Sequence, residues 1–220
     1  MTTTTPQPTA TELWIIIKRE ITGIQLLWEA VDGLYFRPQG KGLATLGQDA
    51  PLFFRLMQTA FMESLLMRVS RLMDPANSSR REGDRPNLSL KRLVEKDSRV
   101  GLDEEAIRDI WDGSSLKNVR DKFVGHNDLN RALTEEHKLN IPLETVDIDA
   151  LQALASGLRE LRRSVNYKLT GAAYLDESLD VQVQHELGVL SKSLLGGDLF
   201  FKLLPDHAFL QHSWVEAGYD

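Results

Sequence analysis

Apolar residues recur at steps of three and four along most of the chain, the spacing that lines them up on one face of an α-helix. In residues 11–35, TELWIIIKREITGIQLLWEAVDGLY, the step is kept by Trp14, Ile17, Ile21, Ile24, Leu27, Trp28 and Val31, with Thr9 or Thr11 available as N-cap. One Pro and three Gly in residues 37–49, RPQGKGLATLGQD, break the pattern into a loop. A second long helix is predicted from Pro51 to Met73, with Asp49 just ahead of it and Pro in its first turn. Its apolar residues Leu52, Phe53, Leu56, Met57, Phe61, Leu65, Leu66, Val69 and Leu72 spread around the helix, which predicts burial on more than one side.

Asp74-Pro75 ends that helix, and residues 76–86, ANSSRREGDRP, read as a polar loop with three solvated arginines. A short helix over 88–97 takes Asn87 or Ser89 as its cap. Residues 102–128, LDEEAIRDIWDGSSLKNVRDKFVGHND, are helical with acidic residues in the first turn, where the helix dipole favours them. Asp112 to Ser115 marks a break, with Ser114 or Ser115 recapping the next segment. Residues 130–148 look irregular. Thr145, Asp147 or Asp149 then opens another amphipathic helix that closes at Gly171, and a further helix is predicted over about 179–195.

Alternating runs and Asn-Gly hairpin signals are missing, and nothing repeats at a solenoid period. The expectation is therefore an all-α, antiparallel helical bundle over residues 11–171. It is preceded by a disordered tail, 1–10, and followed by a C-terminal helical extension, 172–220, packed on the bundle or on a dimer partner.

Composition narrows the chemistry. With 220 residues and a net charge of -6, the chain can bury a sizeable core but lacks the cationic surface of a general nucleic-acid coat. A local basic patch on an acidic body remains compatible. There is no cysteine, which removes thiolate chemistry and Cys-based zinc sites and fits a cytoplasmic location. No apolar run reaches the ~18–20 residues of a membrane span, and MTTTTPQPTA lacks the basic and apolar regions of a signal peptide. Neither a membrane partner nor a cofactor is expected.

Phosphate-loop, dinucleotide, zinc-helix and nucleophile-elbow motifs are all missing. The five histidines, at 126, 137, 185, 207 and 212, do not fall at metal-ligand spacing, so no metal is expected. Arg120 and His126 remain. A second pair at the same spacing, Arg131 and His137, lies in a charged, loop-like region, whereas Arg120 and His126 sit on an apolar-periodic segment with Val119 and Phe123 one turn apart.

Six residues along a helix rise ~9 Å and leave the two side chains about 120° apart, a poor geometry for gripping one atom within a protomer. About a two-fold axis, the Arg of one chain can approach the His of the other, so a chemical role implies a dimer. Such a set supports RNA cleavage by the RNA's own 2′-hydroxyl. Histidine moves the protons near neutral pH, and arginine holds the phosphate and the charge that develops on it. Asp121 is placed to orient the arginine or to hydrogen-bond the other chain's imidazole. The same residues equally fit a solvated face, with Arg120 and Lys122 in water and His126 favoured by a helix C-terminus.

The stretch VRDKFVGHNDLN resembles the signature of the HEPN superfamily: an Arg, a polar residue directly after it, and a His four to six positions beyond. The order MRVSRLMDP, NLSLKRLVEKD, then that stretch, then a long helix is similar to the HEPN branch related to U-type abortive-infection proteins, over roughly residues 11–171. The resemblance implies a helical homodimer that acts as a metal-independent endoribonuclease in toxin–antitoxin or phage-defence systems. Its partners would be RNA, a second copy and, in a toxin–antitoxin setting, an antitoxin protein.

By position, Arg120 would bind phosphate, Asp121 would be the polar motif residue and His126 the general acid/base, with Lys122, Asn127 and Arg71 contacting substrate. Arg71 and Asp74 match another recurring feature of the branch, read first as a salt bridge and second as an RNA contact. The chain has Asp121 where Asn is common, which sets a negative charge near the phosphate, and Gly125 where Ala often precedes the His. The alternative is a non-catalytic HEPN-like interaction or nucleotide-binding module.

Overall fold

The computed structural model describes residues 7–36, 51–78, 85–121 and 146–173, together with 183, 185, 186 and 189. Helix α1 spans Ala10–Val31 and runs on through a π-helical turn, Asp32–Phe36. Its start is set by a capping box in which Thr9 accepts from the Glu12 amide and Glu12 reaches back to the Thr9 amide. Of the residues expected in the N-terminal tail, Thr9 is this cap and Gln7 accepts a hydrogen bond from Arg92.

Helix α2 spans Pro51–Met73, as the periodicity predicts. Burial around the helix is achieved only in its second half, where Leu65, Leu66, Val69, Ser70, Leu72 and Met73 are all buried. The first two turns differ from the expectation. Leu52 and Phe53 are 63 % and 60 % exposed and Leu56 is exposed too, because only Phe54 of that stretch is buried, edge-on to the Tyr35 ring of the π-helical turn. The polar loop after α2 also holds structure that the sequence pattern hides. Asn77–Ser78 and Arg85–Pro86 form a two-residue antiparallel ladder, β1 and β2. Asn87 is not a helix cap; its amide donates to the Pro75 carbonyl and to Ser78, tying the loop's ends together.

Ser89 caps α3, Leu90–Lys96. A 3-10 turn, Ser98–Val100, leads into α4, Gly101–Gly113. At the expected break, the Ser114 hydroxyl donates to the Trp111 carbonyl and accepts from the Leu116 amide, and α5 then covers Leu116–Arg120. Helix α6, Ile148–Thr170, is capped by Asp147 and stopped by Gly171, whose φ of 70° is the left-handed conformation that glycine adopts without strain.

The helices form an antiparallel bundle. Glu20 of α1 pairs with Arg68 of α2 at 3.0 Å, while Tyr35 beyond α1 bonds the Phe54 carbonyl near the start of α2, so the two helices run in opposite directions. Trp14, Thr22 and Glu29 of α1 meet Asn166, Arg162 and Arg159 of α6, again in reverse order. Trp14, Glu29, Arg162 and Asn166 are buried, so these contacts fix one register: a slip of one turn would leave Arg162 and Glu29 in the core without these partners. Helix α4 packs on the other side of α6, with Lys168 paired to Asp103. Trp14, Ile17, Ile21, Leu65, Leu66, Ile107, Leu158 and Val165 fill the shared core. Helix α5 turns back against α2, which carries Arg120 to the end of α2.

Residues 183, 185, 186 and 189 are helical, within the helix predicted over 179–195. The rest of the C-terminal extension lies outside the described residues, as does the irregular stretch 130–145. Among the described residues no helix is long and apolar enough to cross a membrane.

Candidate functional site

Two chain segments meet at the C-terminal end of α2. One is α2 itself, which delivers Arg71 in its last turn and Asp74 just beyond. The other is α5. Its Leu116 and Val119 are buried, and that anchoring leaves Arg120 at the helix end, facing out of the core.

Arg120 is a cation with little to hold it. Its Nε is buried and lies 3.1 Å from Asp121 Oδ1, yet the contact is not aligned as a hydrogen bond. The proximity and the missing bond are reconciled by geometry: neighbours in sequence on a helix end cannot easily aim a carboxylate down an N–H axis. The Arg120 side chain is 26 % exposed and makes no hydrogen bond among the described residues. An ion pair this exposed contributes little to stability.

Asp74 links the two segments electrically. Burial pushes its carboxyl above the usual carboxylate range, and the positive charges of Arg120 and of Arg71 both act to lower it. That both arginines act on this one carboxyl places all three side chains in one electrostatic neighbourhood. Arg71 is exposed, and among the described residues it makes no close ion pair.

Arg108 is a residue that the sequence pattern did not single out. Its Nη1 donates to the Met73 carbonyl at 3.3 Å, satisfying a helix-end acceptor of α2, while its Nε bonds Glu104 at 2.6 Å. It ties α4 to the end of α2 on which Arg71 and Asp74 stand. The signal available in the sequence was the i, i+4 spacing of Glu104 and Arg108.

Of the predicted site residues, the structure brings Arg120, Asp121 and Arg71 to one end of the bundle, with Asp74 beside them. Lys122, His126 and Asn127 lie outside the described residues. No group of three His, Asp or Glu side chains among the described residues is arranged to hold a metal ion.

The Arg-Asp pair thus stands at the end of a short helix backed by the close of α2. The HEPN family model described as AbiU2 matches residues 17–187. The chain belongs to the HEPN AbiU2 family. The match spans every helix of the bundle, with only the first turns of α1 outside it, and it includes Arg71, Arg120 and Asp121. No curated protein and no solved structure matches the chain. The cluster at the end of α2 lies within the matched residues. It joins a weakly committed arginine, a second exposed arginine and a carboxyl of raised pKa.

Proposed function

We propose that this AbiU2-family protein is a metal-independent endoribonuclease of a phage-defence or toxin–antitoxin system, acting in the cytoplasm as a homodimer. The observation that carries the reading is the Arg120 guanidinium: anchored by a buried helix, a quarter exposed, and free of hydrogen bonds among the described residues. A permanent cation whose donors are unspent among the described residues, close to a second arginine, is what a scissile phosphate needs.

In the proposed reaction His126 of one protomer, as general base, takes the proton from the ribose 2′-hydroxyl. The O2′–P bond forms as the P–O5′ bond breaks, and the second protomer's imidazole, as acid, protonates the departing O5′. The products are a 2′,3′-cyclic phosphate and a 5′-hydroxyl. Arg120 binds the non-bridging oxygens and stabilises the charge that builds on them. Asp121 orients Arg120 or the imidazole of the facing chain. Lys122, Asn127 and Arg71 bind the flanking RNA.

The test is cleavage of a mixed RNA pool in excess EDTA. Cleavage by the wild type that leaves cyclic-phosphate ends, and a drop of about 10²–10³-fold in Arg120→Ala and His126→Ala, is the expected result. Absence of both cleavage and RNA binding would sink the reading.

One observation favours a second reading, a non-catalytic HEPN-like interaction or nucleotide-binding module. Asp121 and Asp74 both stand beside Arg120, and on a chain of net charge -6 they oppose the approach of a polyanion. Binding of a partner or nucleotide without RNA cleavage would select it.

A further inference from the structure

A second cationic feature lies in a cleft where the chain enters α1 beside the ladder. Gln7, Pro8, Leu13, Pro86, Asn87, Leu88 and Arg92 line it, and its volume is about 350 Å³. Arg92 is the one charged residue of that lining and is 7 % exposed. Its guanidinium is held by two neutral amide oxygens, Asn77 Oδ1 at 3.2 Å and Gln7 Oε1 at 2.6 Å. Among the described residues no carboxylate pairs with it.

Buried guanidinium groups normally face a counter-anion, because a neutral amide satisfies a donor without cancelling the charge. Arginine has five N–H donors, and these two bonds use two of them. Asn87 is spent on Pro75 and Ser78, whereas the Gln7 amide nitrogen makes no hydrogen bond among the described residues. Among the described residues the cleft thus presents one positive charge with no counter-anion and spare donors, set among two prolines and two leucines.

We infer that this cleft is a binding site for a small monocarboxylate on an apolar body, with the carboxylate received by Arg92 and the body lying against Pro8, Leu13, Pro86 and Leu88. One guanidinium balances one negative charge, which favours a carboxylate over a doubly charged phosphate ester. The volume sits at the small end of ligand cavities, room for one ring or a short alkyl chain. The proposal does not rest on the ribonuclease reading, since no hydrogen bond or ion pair among the described residues joins this lining to Arg120, Asp121 or Arg71.

The experiment titrates the full chain with 3-phenylpropanoate by calorimetry, with 3-phenylpropan-1-ol and 3-phenylpropyl phosphate as comparators. The carboxylate is expected to bind in the ~0.1–1 mM range, fitting its size, and the alcohol at least about 10-fold more weakly. Arg92→Gln removes the charge, and Leu88→Trp fills the cleft while leaving Arg92 in place. Each is expected to abolish binding with helical content retained. If Arg92→Gln fails to fold, Leu88→Trp and Arg92→Lys carry the test, the lysine expected to bind at least several-fold more weakly. Equal binding of the alcohol, tighter binding of the phosphate ester, binding that survives both substitutions, or no binding of the carboxylate at about 10 mM would each overturn the proposal.

Discussion

Asp74 is the residue whose single charge bears on both the candidate site and the stability of the fold. Burial raises its pKa in the folded chain against the pull of two arginines, so ionising it is harder folded than unfolded. A raised carboxyl pKa means that folding is favoured below the unfolded value and that this stability is lost as pH rises through the folded value. Asp74→Asn, which stays neutral, should therefore unfold at higher urea than the wild type at pH 7, with the gap narrowing as pH falls toward 4. A gap that is constant or widens on acidification would contradict the assignment. In the proposed site the same substitution removes a negative charge from beside Arg120 and Arg71, so RNA should bind several-fold more tightly, and less so at high salt. Arg120→Lys keeps the charge but loses the planar fork, and cleavage should fall by about 10-fold or more. Asp74 and Arg71 were legible in the sequence only through family resemblance. Their electrostatic link to Arg120 depends on a fold that brings together residues almost fifty positions apart.

Among the helices, the ends were the most legible features, because capping is local chemistry. Thr9, Ser89, Asp147 and Gly171 sit where side-chain acceptors and a left-handed glycine are needed, and each does that job. Thr9→Ala, which removes the acceptor of the capping box, should cost ~1 kcal/mol in urea unfolding. What local pattern could not supply was which neighbour each face would meet. Leu52, Phe53 and Leu56 are as apolar as Leu65 and Leu66, yet only the latter are buried, in a helix that α1, α3 and α5 all contact. The α4–α6 contact is similarly invisible: a Cβ at Gly157 would lie 2.6 Å from Ile107 Cδ1, fifty positions earlier in the chain. Gly157→Leu should therefore wedge α4 from α6 and cost ~1–3 kcal/mol, read as a lower urea midpoint. A midpoint unchanged from the wild type would show that Ile107 yields freely.

For the whole molecule, helical periodicity with no strand signal sufficed to predict an antiparallel bundle, and the reversed order of the α1–α2 and α1–α6 contacts matches it. The fine ladder at Asn77–Ser78 and Arg85–Pro86 escaped because two-residue strands carry no alternation to detect. The ribonuclease reading concerns the molecule's assembly as much as its residues, since Arg120 and His126 are expected to serve one phosphate from two chains. Mixing two inactive variants, Arg120→Ala and His126→Ala, refolded together to form heterodimers, tests this directly in an EDTA-resistant RNA cleavage assay. In a shared site, each heterodimer pairs the intact Arg120 of one chain with the intact His126 of the other. Cleavage should rise well above that of either variant alone, yet stay below the wild-type rate, because the heterodimer keeps one Arg120 and one of the two imidazoles. Heterodimers that form but remain inactive, beside an active wild type, would contradict the two-chain site.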